Sequence, residues 1–188
     1  MQYLHNDKFK EIILIQPKIF YDDRGCFLET FQAKRYQDIG IKELFLQDNY
    51  STSVKNTVRG MHYQLHYPQG KLVGVTSGTV FDVVVDVRVN SPTFGQWTSF
   101  ELDAKSYAQV YIPPGFAHGF CVLSDQASFY YKCTDYYRPD DDFGVLWRDK
   151  QLNIPWPLDA QPILSAKDEK YLSLDQIPIH LLPKYISI

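Results

Sequence analysis

Between residues 80 and 88 the chain alternates without a break. Phe81, Val83, Val85 and Val87 fall on one side, and Val80, Asp82, Val84, Asp86 and Arg88 fall on the other. A period of two is that of a β-strand, whose successive side chains point to opposite faces; a helical period would scatter both sets. One face is an unbroken packing surface. The other sets ionisable groups between valines, as a strand does when it lines a partly polar cavity or pairs its charges at a rim.

The neighbouring runs have the same character. Residues 9–20 read as a strand interrupted by Pro17, which cannot donate to a ladder and so marks an edge or bulge. The turn Asp22-Asp23-Arg24-Gly25 leads into a strand over 26–31, and further strands are predicted at 45–51, 97–102, 109–112, 119–123 and 128–134. A short helix is predicted over 33–40, closed by Gly40, and a second over 165–174 in the less regular tail. Short strands separated by Gly, Pro and Asp turns at this cadence predict an all-β sandwich or closed barrel. No repeat, low-complexity run or linker divides the 188 residues, so one domain over 1–188 is expected.

Composition narrows the function. A net charge of −3 argues against a general nucleic-acid or membrane-surface binder, so any bound anion must be gripped locally. The three cysteines (Cys26, Cys121, Cys133) are odd in number and widely spaced, as expected of free thiols in a reducing compartment. With no apolar run able to span a bilayer and no leader-like N-terminus, a cytoplasmic location is expected.

Such a grip is available in Val58-Arg59-Gly60-Met61-His62-Tyr63-Gln64 and the following Gly70-Lys71-Leu72-Val73. Arg and Lys suit a phosphate, and His is the side chain best placed to move a proton near neutral pH. In a regular strand Arg59 and His62 would face opposite ways, but a bulge at Gly60 would bring them to one side. Tyr131 shares strand parity with Phe129 and Cys133, so it points inward if that face lines a barrel, and a phenol there is a loaded proton donor at pH 7. Against this, Tyr131 is one of fourteen tyrosines, and Ser165-Ala166-Lys167-Asp168 has the spacing of a capping box that would leave Asp168 a purely local role. A carboxylate to orient the His has three candidates, Asp82, Asp86 and Asp168, and the residues alone do not choose among them. Arg24, Arg59 and Lys71 are candidate phosphate ligands.

His118 lies in Pro113-Pro114-Gly115-Phe116-Ala117-His118-Gly119, a Pro-x-Gly-x-x-His spacing similar to the second motif of cupin barrels. The first metal motif of those barrels needs two histidines one residue apart plus a Glu. This chain has only His62 in Gly-Met-His-Tyr-Gln, so no metal site is expected.

Several ordered motifs then carry a broader resemblance: Asp22-Asp23-Arg24-Gly25-Cys26-Phe27-Leu28-Glu29, Gln47-Asp48-Asn49, Arg59-Gly60-Met61-His62-Tyr63-Gln64, Gln69-Gly70-Lys71-Leu72-Val73, Val80-Phe81-Asp82-Val83-Val84-Val85-Asp86, Ser91-Pro92-Thr93-Phe94-Gly95, Pro114-Gly115-Phe116-Ala117-His118-Gly119-Phe120 and Tyr131-Lys132-Cys133-Thr134-Asp135-Tyr136-Tyr137. Together they resemble the dTDP-4-dehydrorhamnose 3,5-epimerase family over roughly the whole chain. The resemblance implies an all-β, cupin-like jelly-roll barrel with a few short peripheral helices, a homodimer, no metal and no organic cofactor. It implies epimerisation at C3 and C5 of dTDP-4-dehydro-6-deoxy-D-glucose. In that scheme His62 is the general base, Asp168 the carboxylate that orients it, Tyr131 the acid on the opposite face, and Lys71 the group that stabilises the enolate oxygen. Arg24, Arg59 and His118 hold the pyrophosphate, with Glu29, Gln47, Asn49 and Tyr137 around the nucleotide and sugar. Two departures stand out: Gly74 where many members carry Arg, and Met61 where Leu is usual. The rival readings are an epimerase acting at C3 or C5 alone, a ketoisomerase, a metal-dependent cupin enzyme, and a non-catalytic sugar-binding domain.

Overall fold

The structure is a computed structural model that describes residues 1–186. Along the chain come β1 (Gln2–His5), β2 (Ile13–Gln16), β3 (Ile19–Asp22), β4 (Gly25–Leu28), helix α1 (Ala33–Asp38), β5 (Gln47–Val54), β6 (Val58–Gln64), β7 (Lys71–Ser77) and β8 (Thr79–Asp86). They are followed by β9 (Trp97–Asp103), β10 (Gln109–Ile112), β11 (Phe116–Val122), β12 (Gln126–Cys133) and β13 (Asp142–Gly144). Two sheets face each other, in the orders β1-β2-β10-β7-β12-β5 and β13-β6-β11-β8-β9, while β3 and β4 form a separate hairpin. This is an all-β sandwich, as the strand cadence predicts, with the jelly-roll architecture that the resemblance implies. Among the described residues, no helix is long and apolar enough to cross a membrane.

The alternation at residues 80–88 sorts its side chains as the pattern requires. Val80 and Val84 of β8 enter the core between the sheets, with Val73, Val75, Val110, Ile112, Phe120 and Phe129. Val83, Val85 and Val87 face outward into a second core, covered by Leu152, Leu174 and Leu182 of the tail. A third core lies on the outer face of the larger sheet, where Tyr36, Ile39 and Ile41 of the α1 region cover Ile13, Ile15, Leu72 and Tyr111. The C-terminal tail is therefore a lid on one sheet and α1 a lid on the other. The polar members of the alternation divide as well: Asp82 is buried in the interior, and Asp86 pairs with Arg88 at the sheet end.

Several local expectations hold. The helix over 33–38 is capped by the Gln32 side chain, which accepts from the Arg35 N–H at 2.7 Å, and Gly40 follows it at φ +103°. Cys121 and Cys133 are buried free thiols, whereas Cys26 is exposed.

Others are corrected. The predicted tail helix is a single 3-10 turn, Asp168–Lys170, because Tyr171 returns to extended backbone (φ −62°, ψ 151°). The Ser165 half of the capping signal is real, since its Oγ accepts from the Asp168 N–H at 3.1 Å, but the turn does not propagate. In the first predicted strand, pairing begins only at Ile13. His118 lies in the middle of β11, which starts at Phe116, three residues ahead of the predicted start at 119.

Candidate active site

The bulge anticipated at Gly60 is present. Along β6 and β11, His62 pairs with His118 and Arg59 with Phe120, so three residue steps on one strand face two on the other. Gly60 takes up the extra residue at φ +119°, and a Cβ there would lie 2.5 Å from the Gly119 Cα, so both the torsion and the contact call for glycine. Met61 turns outward into the tail-covered core. Arg59 and His62, three residues apart, consequently line the same cavity.

That cavity has a volume of about 620 Å³ and opens between the two sheets. The smaller sheet supplies Arg59, His62 and His118; the larger supplies Ser51, Ser53, Lys71, Phe129 and Tyr131; the tail adds Lys167 and Asp168. His62 and Tyr131 therefore stand on opposing walls.

Each of the three candidate carboxylates has a distinct partner. Asp168 Oδ1 lies 2.7 Å from His62 Nε2, and its Oδ2 accepts from the Gly60 N–H at 3.3 Å. Asp82 Oδ2 lies 2.8 Å from His118 Nε2. Asp86 accepts from Arg88, Ser91 and Thr93 and takes no part in the cavity. Burial alone would raise the Asp168 carboxyl, but the hydrogen bonds and charge of His62, with the Gly60 N–H and Ser165, hold it below its ordinary value. A carboxylate only accepts, so His62 Nε2 carries the hydrogen, and in the neutral ring Nδ1 is left with a free lone pair. The Tyr171 ring meets the imidazole edge-on at 5.8 Å, and Gly144 leaves space for that ring.

Two further features equip the opposite wall. Burial pushes the Tyr131 phenol up to about 12, with Cys133 adding to the rise and Arg59 opposing it, so it stays protonated at neutral pH. Burial also pushes the Lys71 ammonium down, while the charges of Cys133, Asp142 and Asp82 pull it back up. Among the described residues neither Lys71 nor Arg59 has a carboxylate within salt-bridge distance, and Arg59 Nε donates to Ser53 Oγ at 3.0 Å. A cavity with two basic side chains lacking carboxylate partners among the described residues, an available imidazole nitrogen and an opposing phenol suits an anionic substrate that undergoes proton transfer.

The remaining sequence candidates lie outside the cavity lining. Gln47 and Asn49 extend the inward row of β5 beyond Ser51 and Ser53; their side chains are joined at 2.9 Å, and Gln47 Oε1 accepts from the Tyr137 N–H. The Tyr137 hydroxyl donates to Asp142. Arg24 sits at the tip of the β3–β4 hairpin, paired with Asp22, and Glu29 just beyond the hairpin pairs with Arg35. That hairpin carries exposed Phe20, Tyr21 and Phe27. Gly74 lies on the face away from the cavity, where it leaves room for the Tyr130 ring at 2.8 Å from a would-be Cβ. Sequence reasoning missed Lys167, which lines the cavity and bonds to Asp142. Its only signal was adjacency to Asp168, and strand parity does not extend into a 3-10 turn. Among the described residues, no three His, Cys, Asp or Glu side chains converge as a metal-ligand set.

Comparisons with known proteins identify the family. The family model described as dTDP-4-dehydrorhamnose 3,5-epimerase matches residues 6–176. A dTDP-4-dehydrorhamnose 3,5-epimerase of Shigella flexneri is 48% identical over 170 residues, covering 88% of this chain and 93% of the relative. The crystal structure of a dTDP-6-deoxy-D-glucose-3,5-epimerase from Legionella pneumophila, in complex with dTDP-4-keto-L-rhamnose, superposes with a TM-score of 0.95 at 50% identity, covering 99% of this chain and 100% of that one. A dTDP-4-dehydrorhamnose 3-epimerase of Streptomyces niveus is 41% identical, covering 91% of this chain and 84% of the relative.

Proposed function

This chain belongs to the dTDP-4-dehydrorhamnose 3,5-epimerase family, and from that premise we propose how its cavity divides the work. The protein inverts C3 and C5 of dTDP-4-dehydro-6-deoxy-D-glucose to give dTDP-4-dehydro-L-rhamnose. The 4-keto group acidifies the hydrogens on both carbons. His62 Nδ1 removes one of them while Asp168 holds Nε2–H and stabilises the imidazolium that forms. Negative charge then develops on the keto oxygen, where the Lys71 ammonium meets it at no reorganisation cost. Inversion requires the proton to return from the other side of the ring, and Tyr131 delivers it. The observation that carries this reading is the placement of His62 and Tyr131 on opposing sheets across one cavity.

Arg59 and His118 grip the pyrophosphate, and Gln47, Asn49 and Tyr137 meet the nucleotide at the mouth. Arg24 and Glu29 act across a homodimer interface: the β3–β4 hairpin, with its exposed Phe20, Tyr21 and Phe27, docks on a second copy and brings Arg24 to that copy's cavity. The chain works as one domain, needs no cofactor, and acts in the cytoplasm.

The test is to incubate the protein with dTDP-4-dehydro-6-deoxy-D-glucose and determine the configuration of the product by NMR. Inversion at both centres supports the reading. Inversion at C3 alone would move the protein to the narrower chemistry named for the Streptomyces niveus relative.

A further inference from the structure

Asp82 has no role in the scheme above, yet it is the most deeply buried charged side chain near the cavity. It is 0% exposed on β8, its Oδ2 lies 2.8 Å from His118 Nε2, and its Oδ1 is buried without any hydrogen-bond partner. A carboxylate left with one open acceptor away from water is costly unless a cation compensates it. The groups on hand that can carry a positive charge belong to the cavity. His118 is in direct contact, and Asp82 also acts electrostatically on Lys71, where it favours the charged ammonium.

We propose that Asp82 is a positioning residue for substrate binding: from behind the cavity wall it fixes His118 with Nε2–H turned inward and Nδ1 turned to the cavity, as an imidazolium that donates both to Asp82 and to the substrate's pyrophosphate. The chemistry requires that charge state. Asp82 and a phosphate oxygen are both acceptors, so an imidazole bridging them must carry a proton on each nitrogen. The ring has little freedom to turn away. His118 is 7% exposed, stacks on Phe129 at 6.0 Å, and stands opposite His62 in the β6–β11 ladder. The cavity thus contains two His–Asp pairs on neighbouring strands with opposite duties. The His62–Asp168 pair keeps a lone pair free to accept a proton, and the His118–Asp82 pair keeps a proton to donate. This assignment rests on the reading of His118 as a pyrophosphate ligand.

The test uses dTDP as the probe, with Asp82→Asn in the full-length protein. Loss of one charge-assisted hydrogen bond predicts a Kd for dTDP and a KM for the sugar nucleotide raised about 10- to 100-fold. The effect on kcat should be no more than about threefold, because the reacting carbons are untouched. In a His118→Gln background the Asp82→Asn change should have little further effect on Kd. A kcat loss at unchanged KM, full additivity of the two changes, or unaltered dTDP affinity would each overturn the inference. Should Asp82→Asn fail to fold, 15N NMR of the histidines in the wild-type dTDP complex decides. Protons on both nitrogens of His118 support the inference, and a neutral ring contradicts it. A wild type that does not bind dTDP would overturn the site reading and this inference with it, whereas wild-type binding that Asp82→Asn leaves unaltered overturns this inference alone.

Discussion

Asp168→Asn is the most informative single change, because both oxygens of Asp168 are in use and an amide can replace only one. Oδ1 accepts from His62 Nε2–H at 2.7 Å and Oδ2 from the Gly60 N–H at 3.3 Å. If the Asn oxygen faces His62, its NH2 confronts the Gly60 N–H, and the imidazolium formed on proton abstraction loses its counter-charge. If the amide turns round, its NH2 donates to Nε2, the tautomer reverses and Nδ1 becomes protonated, so the base is blocked. Either outcome predicts a fall in kcat of roughly 10²- to 10⁴-fold, the usual range for a general base, with the tautomer reversal at the upper end. This corresponds to about 3–5 kcal/mol of transition-state stabilisation. Asp168 is 2% exposed, so solvent screening does not soften the effect. The same substitution removes a charge-assisted hydrogen bond from the fold, a loss of about 1–3 kcal/mol by urea unfolding. Steady-state kinetics and dTDP affinity should be measured together, since KM and Kd are expected to change little. A kcat within about threefold of wild type would refute the role of Asp168 in setting the tautomer.

The other predictions follow from the same geometry. The stability that Asp168 contributes has a pH signature: its folded pKa lies below the ordinary 3.8, so the contribution is full above that value and is lost as pH falls through the folded one. The gap in unfolding free energy between wild type and Asp168→Asn should therefore narrow below about pH 4, and a constant gap from pH 6 to pH 3 would contradict it. Gly60→Ala should destabilise the protein by about 1–3 kcal/mol in denaturant melts and lower activity, since positive φ and the Gly119 backbone leave no room for a Cβ; an unchanged melt would refute the bulge argument. If the hairpin serves a second copy's cavity, mixing Arg24→Ala chains with His62→Ala chains should restore activity that neither shows alone. No restoration, in a sample where mixed dimers form, would remove Arg24 from that role.

Much of this arrangement was legible because strand parity is a strict rule. It placed Tyr131 with Phe129 and Cys133, and it split residues 80–88 into an interior row and a packing row that the two cores occupy. The bulge was legible through one residue, Gly60, set between two functional side chains whose ordinary parity was wrong for cooperation. The pairing of carboxylates with histidines was not legible from the residues alone, and for His62 only the family resemblance singled out Asp168. Asp82 and Asp168 lie 36 and 106 residues from their imidazoles, and both carboxylates are local-looking features of their own segments. Asp168 was hard for a further reason, because Ser165 does cap its N–H as a helix start would. The tail helix failed because that signal reports only the first turn, and the segment that follows packs Tyr171 against His62. Gly74 lies on the α1 side of the larger sheet, where it makes space for Tyr130.

The central claim is that His62 and Tyr131 work as separate base and acid from opposite walls of one cavity. Incubation of wild type, His62→Ala and Tyr131→Phe with dTDP-4-dehydro-6-deoxy-D-glucose in D2O, followed at C3 and C5 by NMR, tests it directly. Wild type should place deuterium at both carbons and yield the inverted product. His62→Ala should place none at either carbon while remaining folded, and Tyr131→Phe should retain exchange but lose most inversion. Inverted product at the wild-type rate from either variant would contradict the account.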